Sequence, residues 1–161
     1  MSDIRIARDY PHSPATVWRA VTDPELIPRW TATGDGGRPV GFAPVAGTRF
    51  QFVAKPRPGW RGVIDCEVLE AREPSWLRFS WVGDENGQAT YVTYRIEPHA
   101  GGTRFSYEHT GFTGAGGFFV AKLLSSVRKK MLTVGLPAVL DDLDDNGVLR
   151  STSTLRPKPV R

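Results

Sequence analysis

The sequence has few of the residue types that crosslink small proteins or bind metals. It contains one cysteine, Cys66, and three histidines among 161 residues. A single cysteine excludes a disulfide within the chain, and no histidine or cysteine has the spacing of a zinc ligand set. We therefore expect no metal site and no cofactor. A chain of this length can bury a hydrophobic core without either.

Long hydrophobic runs are also missing. The longest, GGFFVAKLL at residues 116–124, is broken by Lys122 and is much shorter than the roughly 20 residues that span a bilayer. The N-terminal stretch MSDIRIARDY carries two Asp and two Arg and lacks the apolar centre of a signal peptide. We therefore expect a cytoplasmic protein that does not insert into a membrane.

Positive charge is concentrated at the C-terminus. Four of the 21 Lys and Arg residues lie at or after Arg150, which leaves 17 in the preceding body, against 17 Asp and Glu. A neutral body argues against a nucleic-acid-binding surface, which would make the domain itself basic. We expect residues 1–146 to form a single domain and residues 147–161 to form a basic, disordered tail.

Two short helices are predicted directly after a first strand. Residues 3–10 alternate apolar with charged side chains, as a strand with one buried face does. Ser13 can cap a helix that has Pro14 at its first position, where the missing N–H of proline does no harm. Asp23 and Pro24 repeat this signal. Pro28 and the glycine-rich stretch after it are expected to end the second helix within about two turns.

The middle of the chain predicts an antiparallel meander. Five segments alternate apolar with polar residues, and short links rich in Gly, Pro and Asn join them. Links of this length connect antiparallel neighbours. The predicted strands cover residues 47–55, 61–72, 75–82, 89–97 and 103–112. On the second of these, Asp65 and Glu67 alternate with apolar residues, so we expect their carboxylates on the solvent side.

A long C-terminal helix is predicted to cover the apolar face of this sheet. Phe119, Leu123, Val127 and Met131 recur at helical spacing. Gly135 and the proline two residues later interrupt the pattern, so a kink or two abutting helices are expected. The basic run at residues 128–130 is predicted to lie on the solvated face. The gap between such a helix and an antiparallel sheet is a natural ligand cavity.

Several stretches resemble the START-like, helix-grip superfamily, which includes lipid-transfer proteins and polyketide cyclases. They are SPATVWRAVTDPELIPRW, GVIDCEVLEAREPSWLRFSW, GGTRFSYEHTGF and VGLPAVLDDLDD. Within the superfamily, they are most similar to the bacterial family of homologues of the activator of the heat-shock chaperone ATPase. That family commonly has a tryptophan where this chain has Leu136 or Pro137, and the stretch at residues 113–132 resembles the polyketide-cyclase branch instead.

The resemblance implies an α+β helix-grip fold. In that fold, a curved antiparallel sheet of about six or seven strands wraps around a long C-terminal helix, with two short helices after the first strand. It also implies a hydrophobic cavity that holds a small molecule, but it implies no common reaction, because one fold hosts many functions.

Aromatic residues give the clearest functional signal, because alternation places many of them on the inward faces of the strands. Trp30, at the exit of the second short helix, is a candidate for the cavity rim or for plain core. His109 is interpreted either as a core imidazole bonded to the closing helix or as a polar group inside the cavity. The predicted ligand-binding residues are Trp30, Phe50, Phe52, Phe79, Trp81, Tyr94, Phe105, Tyr107, His109, Phe119, Leu123, Val127 and Met131.

Three functions remain open at this point. The first is the binding of a small hydrophobic or aromatic ligand. The second is a cyclase or aromatase reaction in the same cavity, in which Tyr94, Tyr107 or His109 assists proton transfer. The third is a protein-interaction module of the cochaperone kind, and a homodimer is a further open alternative. The glycines of GAGGFF precede a helix but follow a meander, so they do not predict a nucleotide site.

Overall fold

The structure, a computed structural model, describes residues 3–31, 38–56, 62–83, 88–144 and 148. The chain begins with strand β1 (Ile4–Tyr10), helix α1 (Pro14–Thr22) and helix α2 (Ile27–Thr31). Six strands follow: β2 (Arg38–Val40), β3 (Arg49–Val53), β4 (Val63–Arg72), β5 (Trp76–Val82), β6 (Thr90–His99) and β7 (Gly102–Thr110). The last elements are helix α3 (Gly114–Lys130), a π-helical turn (Met131–Gly135) and helix α4 (Leu136–Asp141).

The strands form one sheet in the order β1-β7-β6-β5-β4-β3-β2, and every neighbouring pair is antiparallel. β1 closes the β7 edge, where Ile6 lies opposite Tyr107. β2 was not among the predicted segments, because three residues that include Pro39 are too few to show alternation. The predicted α+β class, with two short helices after the first strand and a helix packed on the sheet, is confirmed.

The first helix begins as predicted, and the second does not. The hydroxyl of Ser13 accepts a hydrogen bond from the Thr16 N–H at 3.2 Å and so caps α1. Asp23 ends α1, and its carboxylate accepts from the Glu25 N–H at 2.9 Å. α2 therefore starts later, at Ile27, and Pro28 lies in its first turn. The prediction that Pro28 ends this helix was wrong, because a proline in the first turn leaves no hydrogen bond unmade.

The core lies between the inward face of the sheet and the packed helices α1, α2 and α4. Leu132, Leu136 and Leu140 are fully buried there. The expected interruption near Gly135 is the π-helical turn. A Cβ on Gly135 would lie 2.6 Å from the carbonyl oxygen of Trp30, so only glycine lets α2 approach the turn this closely. The hydroxyl of Tyr10 donates to the Leu132 carbonyl and joins β1 to the same turn.

The two faces of β4 separate as predicted. Cys66 and Val68 are buried, and burial raises the pKa of the Cys66 thiol, so this residue is an unreactive core thiol. Asp65 and Glu67 point to the other face, where Gln51 Nε2 donates to Asp65 at 2.7 Å and Arg49 pairs with Glu67 at 3.2 Å. These carboxylates are therefore bound to neighbouring strands on the solvent side.

Candidate functional site

An aromatic cluster covers the inward face of strands β3, β5, β6 and β7. Each strand contributes the rings at its inward-pointing positions because side chains alternate between the two faces of a strand. The Tyr94 ring lies 5.5 Å from Tyr107 and 5.7 Å from Phe79, and the Phe52 and Trp81 rings are 5.6 Å apart. We use the name aromatic cluster for Phe52, Phe79, Trp81, Tyr94 and Tyr107.

His109 lies at the end of β7, fully buried beside this cluster. Its ring is 5.4 Å from Trp81 and 4.6 Å from Phe112. Its Nε2 is 2.7 Å from the Thr90 hydroxyl, which in turn donates to the Trp81 carbonyl at 3.2 Å. Because that hydroxyl proton is used on the carbonyl, the bond to His109 is one in which Nε2–H donates and the Thr90 oxygen accepts.

The other ring nitrogen of His109 lacks a partner among the described residues. Nδ1 is buried and makes no hydrogen bond within the described part of the chain. Burial, and secondarily the charge of Arg128, lowers the pKa of His109 to about 3. The imidazole is therefore neutral at physiological pH, and Nδ1 presents an unused acceptor lone pair.

Arg128 reaches the same region from α3. Its side chain is only 7% exposed, and its guanidinium carbon lies 5.1 Å from the Trp81 ring centre and 5.9 Å from that of Tyr107. Nη1 lies 3.5 Å from the sulfur of Met131. Nε and Nη2 are buried and have no hydrogen-bond partner among the described residues. A buried cation thus faces the aromatic cluster, and two of its three guanidinium nitrogens have no partner among the described residues.

Both tyrosine hydroxyls of the cluster stay protonated. Burial raises the pKa of Tyr94 well above its usual value, and Tyr107 adds to the effect. Burial also raises the pKa of Tyr107, although the charge of Arg128 acts in the opposite direction. The two phenols are therefore neutral groups that can donate a hydrogen bond.

The structure brings most of the predicted ligand-binding residues together. The buried ones are Trp30, Phe50, Phe79, Tyr94, Phe105, Tyr107, His109 and Met131, and the half-buried ones are Phe52 and Trp81. Trp30 is 1% exposed, and its indole N–H donates to the Ala20 carbonyl at 3.0 Å. It lies in the core, which is the second of the two positions predicted for it, and not at a cavity rim.

Three residues of the predicted helical stripe face outward. Phe119 and Leu123 are each 69% exposed and Val127 is 40% exposed. Their expected position in the wall between sheet and helix was wrong, because the face of α3 that is turned inward carries Ala121 and Arg128 instead. The main strand contact of α3 is with β1, so most of this helix has no sheet opposite its apolar side.

Arg128 is the site residue that sequence reasoning missed, because it was assigned to a solvated basic face with its two lysine neighbours. A positional signal was present: Arg128 precedes Leu132 and Leu136 by one and two helical turns, so all three share a face. The charge of its side chain outweighed that signal in the prediction.

Two surface pockets lie away from the aromatic cluster. One, of about 270 Å³, is lined by residues of β1, the π-helical turn and α4, and it contains His12, whose Nε2 lies 3.0 Å from Asp141. The other, of about 390 Å³, lies between the start of β1 and α3. None of the predicted ligand-binding residues lines either pocket.

The described residues include no group of three or more His, Cys, Asp or Glu side chains placed to hold a metal ion. Within the same residues, no helix is both long and apolar enough to cross a bilayer. The predicted C-terminal tail, apart from Val148, lies outside the described residues.

Comparison with solved structures finds proteins of the same fold. Protein MLL2253 from Mesorhizobium loti is 27% identical, with a TM-score of 0.73 over 88% of this chain and 98% of that one. CalU16 from Micromonospora echinospora is 23% identical, with a TM-score of 0.62 over 83% and 75%. The Aha1 dimer from Colwellia psychrerythraea is 17% identical, with a TM-score of 0.61 over 84% and 98%.

Among curated proteins, none matches this chain. A family model does match, and it spans residues 11–144, from the end of β1 to just beyond α4. That span contains α1, α2, strands β2 to β7 and the whole C-terminal helical segment. The chain therefore belongs to the family described as Activator of Hsp90 ATPase homolog 1-like protein.

Proposed function

We propose that this protein binds a small hydrophobic or aromatic molecule between the sheet and α3. The observation that carries the proposal is the unpartnered Nδ1 of His109 beside the aromatic cluster. Buried polar atoms in folded proteins nearly always have a partner. A few polar atoms set in an apolar, aromatic wall are typical of a small-molecule site, where they orient the ligand.

Entry of a ligand requires α3 to move. The helix rests mainly on β1 and on the π-helical turn, so few contacts oppose its displacement from the rest of the sheet. Such a displacement would uncover the half-buried ring of Trp81, which Arg128 of α3 contacts and beside which Phe52 lies at 5.6 Å. The ligand would then stack on these rings and donate a hydrogen bond to Nδ1 of His109.

Binding is favoured over cyclase-type catalysis by the protonation states. A general acid or base works best when its pKa lies near the working pH. The pKa of His109 is lowered to about 3, and those of Tyr94 and Tyr107 are raised. All three groups are neutral at pH 7 and suited to holding a ligand rather than exchanging protons with it.

The test uses two neutral probes of the same shape, 2-naphthol and 2-methoxynaphthalene, titrated by calorimetry. We expect saturable binding of both, with 2-naphthol roughly 2- to 10-fold tighter because its hydroxyl donates to Nδ1. His109→Leu should remove this preference, and His99→Leu, at an exposed histidine of the β6–β7 hairpin, should keep it. Native mass spectrometry of the purified protein should show a co-purified small molecule.

Two outcomes would overturn the proposal. One is the absence of both saturable probe binding and a co-purified molecule. The other is a preference for 2-naphthol that persists in a folded His109→Leu protein, which would place the probe elsewhere. Near-ultraviolet circular dichroism of each variant establishes that it is folded before the titration is interpreted.

A second candidate function is self-association through the outer face of α3. Phe119, Leu123 and Val127 form an exposed apolar stripe, and such patches commonly mark protein contacts. The similar Colwellia protein is described as a dimer. We propose a second copy of this chain as the partner. Light scattering should then show a dimer that Leu123→Ser converts to monomer and Val45→Ser, at an exposed loop residue, does not. A monomeric wild-type protein would exclude this function.

A further inference from the structure

Arg128 is a buried cation without a counter-charge in the described part of the chain. Its side chain is 7% exposed, and no described Asp or Glu forms an ion pair with it. Burial of an unpaired charge is unfavourable, and charged residues are rarely buried alone. The position of this guanidinium therefore needs a physical explanation that packing alone does not supply.

The contacts that Arg128 does make compensate for only part of this cost. The rings of Trp81 and Tyr107 lie within cation–π distance of it, at 5.1 and 5.9 Å. Nη1 is directed at the Met131 sulfur, which is a weak acceptor. Neither ring nor the sulfur accepts a hydrogen bond from Nε or Nη2, so these two nitrogens stay unsatisfied among the described residues.

The unused donors have a specific geometry. Nε and Nη2 are the two atoms without partners, and their N–H bonds point in parallel from one edge of the planar guanidinium. Two parallel donors match the two oxygens of a carboxylate, and this pairing is both strong and directional. The free edge of Arg128 therefore has the form of a carboxylate-binding site.

We propose that Arg128 binds the carboxylate of an aromatic carboxylic acid, whose ring stacks on the aromatic cluster. This inference rests on the proposed binding function and names the chemical class of its ligand. A monoanionic carboxylate satisfies both donors and neutralises the charge. A phosphate ester would bring a second negative charge and a third oxygen into an apolar space that offers no second cation within the described residues.

The test compares an acid with its neutral analogue. The probes are 2-naphthoate and 2-naphthamide, titrated into the full-length protein at pH 7 by calorimetry. We expect 2-naphthoate to bind at least about ten-fold more tightly than the amide, because hydrogen bonds between charged groups are stronger than those to a neutral amide. Arg128→Met, which keeps an unbranched apolar stem but removes the guanidinium, should abolish the preference and retain binding of the amide.

Two further variants make the result specific. Lys129→Met removes a charge from the adjacent, exposed position of α3 and should keep the full preference. Arg128→Lys keeps the charge but removes the fork of parallel donors, so the preference should be reduced rather than lost. If Arg128→Met does not fold, the lysine variant still measures the contribution of the fork.

Failure of this inference differs from failure of the proposed function. Equal binding of acid and amide by the wild-type protein, or an acid preference unchanged in folded Arg128→Met, would overturn the carboxylate assignment while leaving the binding function intact. Tighter binding of 2-naphthyl phosphate than of 2-naphthoate would also overturn it. No binding of either probe, together with no binding of 2-naphthol, would overturn both.

Discussion

The C-terminal helical segment has two halves, α3 and α4, which are joined by the π-helical turn. Apolar side chains are exposed in the first half and buried in the second. In the second half, Leu136 and Val139 are fully buried, whereas in the first half Phe119 and Leu123 are each 69% exposed. The second half packs against α1 and α2, and α3 has mainly β1 and the π-helical turn as neighbours. Which apolar residues are buried therefore depends on the surface that each half faces, and not on how hydrophobic that half is.

Truncation of one leucine in each half should give the largest difference. Leu136→Ala removes a fully buried side chain and should lower the free energy of unfolding by about 3 kcal/mol. Leu123→Ala, on the exposed stripe, should change it by less than about 0.5 kcal/mol. Urea denaturation measures both values. Similar losses in the two variants would mean that α3 is packed as tightly as the second half.

Replacement of Gly135 or of Gly116 by alanine should give the second largest difference in the free energy of unfolding, and the two changes should have opposite signs. Gly135→Ala places a Cβ 2.6 Å from the Trp30 carbonyl, so it should destabilise the protein by about 2 kcal/mol through overpacking. Gly116→Ala meets no atom within 4 Å and should stabilise α3 by about 0.5–1 kcal/mol. Thermal unfolding compares the two. A neutral Gly135→Ala would show that α2 and the turn can separate without loss.

Low pH should reduce the free energy of unfolding through His109, which lies near Arg128 of α3. The pKa of His109 is lowered from 6.5 to about 3 in the folded state. The unfolded chain therefore binds a proton between these values that the folded chain does not. Stability that is fully present above pH 6.5 should fall as the pH drops, by about 1.4 kcal/mol per pH unit between pH 6 and pH 4.

The control for this prediction is His109→Gln, which cannot titrate and retains a donor for Thr90. The difference in unfolding free energy between the two proteins should change with pH by the amount stated, because the carboxylates contribute equally to both. Parallel pH profiles for the wild-type protein and the variant would show that His109 is accessible to solvent or already paired.

Removal of one hydroxyl should give the smallest effect. Tyr10→Phe deletes the hydrogen bond to the Leu132 carbonyl, which ties β1 to the buried half, and should destabilise by about 1 kcal/mol. Tyr91→Phe is the matched control. Its half-buried ring lies 5.1 Å from the Arg78 guanidinium, and its hydroxyl makes no hydrogen bond within the described residues. Equal unfolding midpoints for the two variants would contradict the role of this bond.

The strands were predictable because their signal is local. Alternation over β4, β5, β6 and β7 identified both the elements and their inward faces, and the cap at Ser13 placed α1 correctly. β2 and the start of α2 were not predictable in this way. A three-residue strand carries no periodicity, and the tertiary contacts of Trp30 with Gly135 have no counterpart in the local sequence.

The candidate site was only half predictable for a related reason. The sheet side, including His109 and both tyrosines, follows from the alternation of side chains along strands. The helix side does not, because an apolar stripe is expected to face the core. In α3 that stripe is exposed, and the inward position belongs to Arg128, a residue type whose charge predicts exposure.

The π-helical turn sets the rotational phase between the two halves. Each residue of an α-helix turns the chain by about 100°, and a π-helical turn holds more residues per turn than an α-helix does. Deletion of one residue within Met131–Gly135, leaving a continuous α-helix, would rotate α3 by about that angle relative to α4. Arg128 would leave the aromatic cluster, so the length of this five-residue turn determines which side chain α3 presents to that cluster.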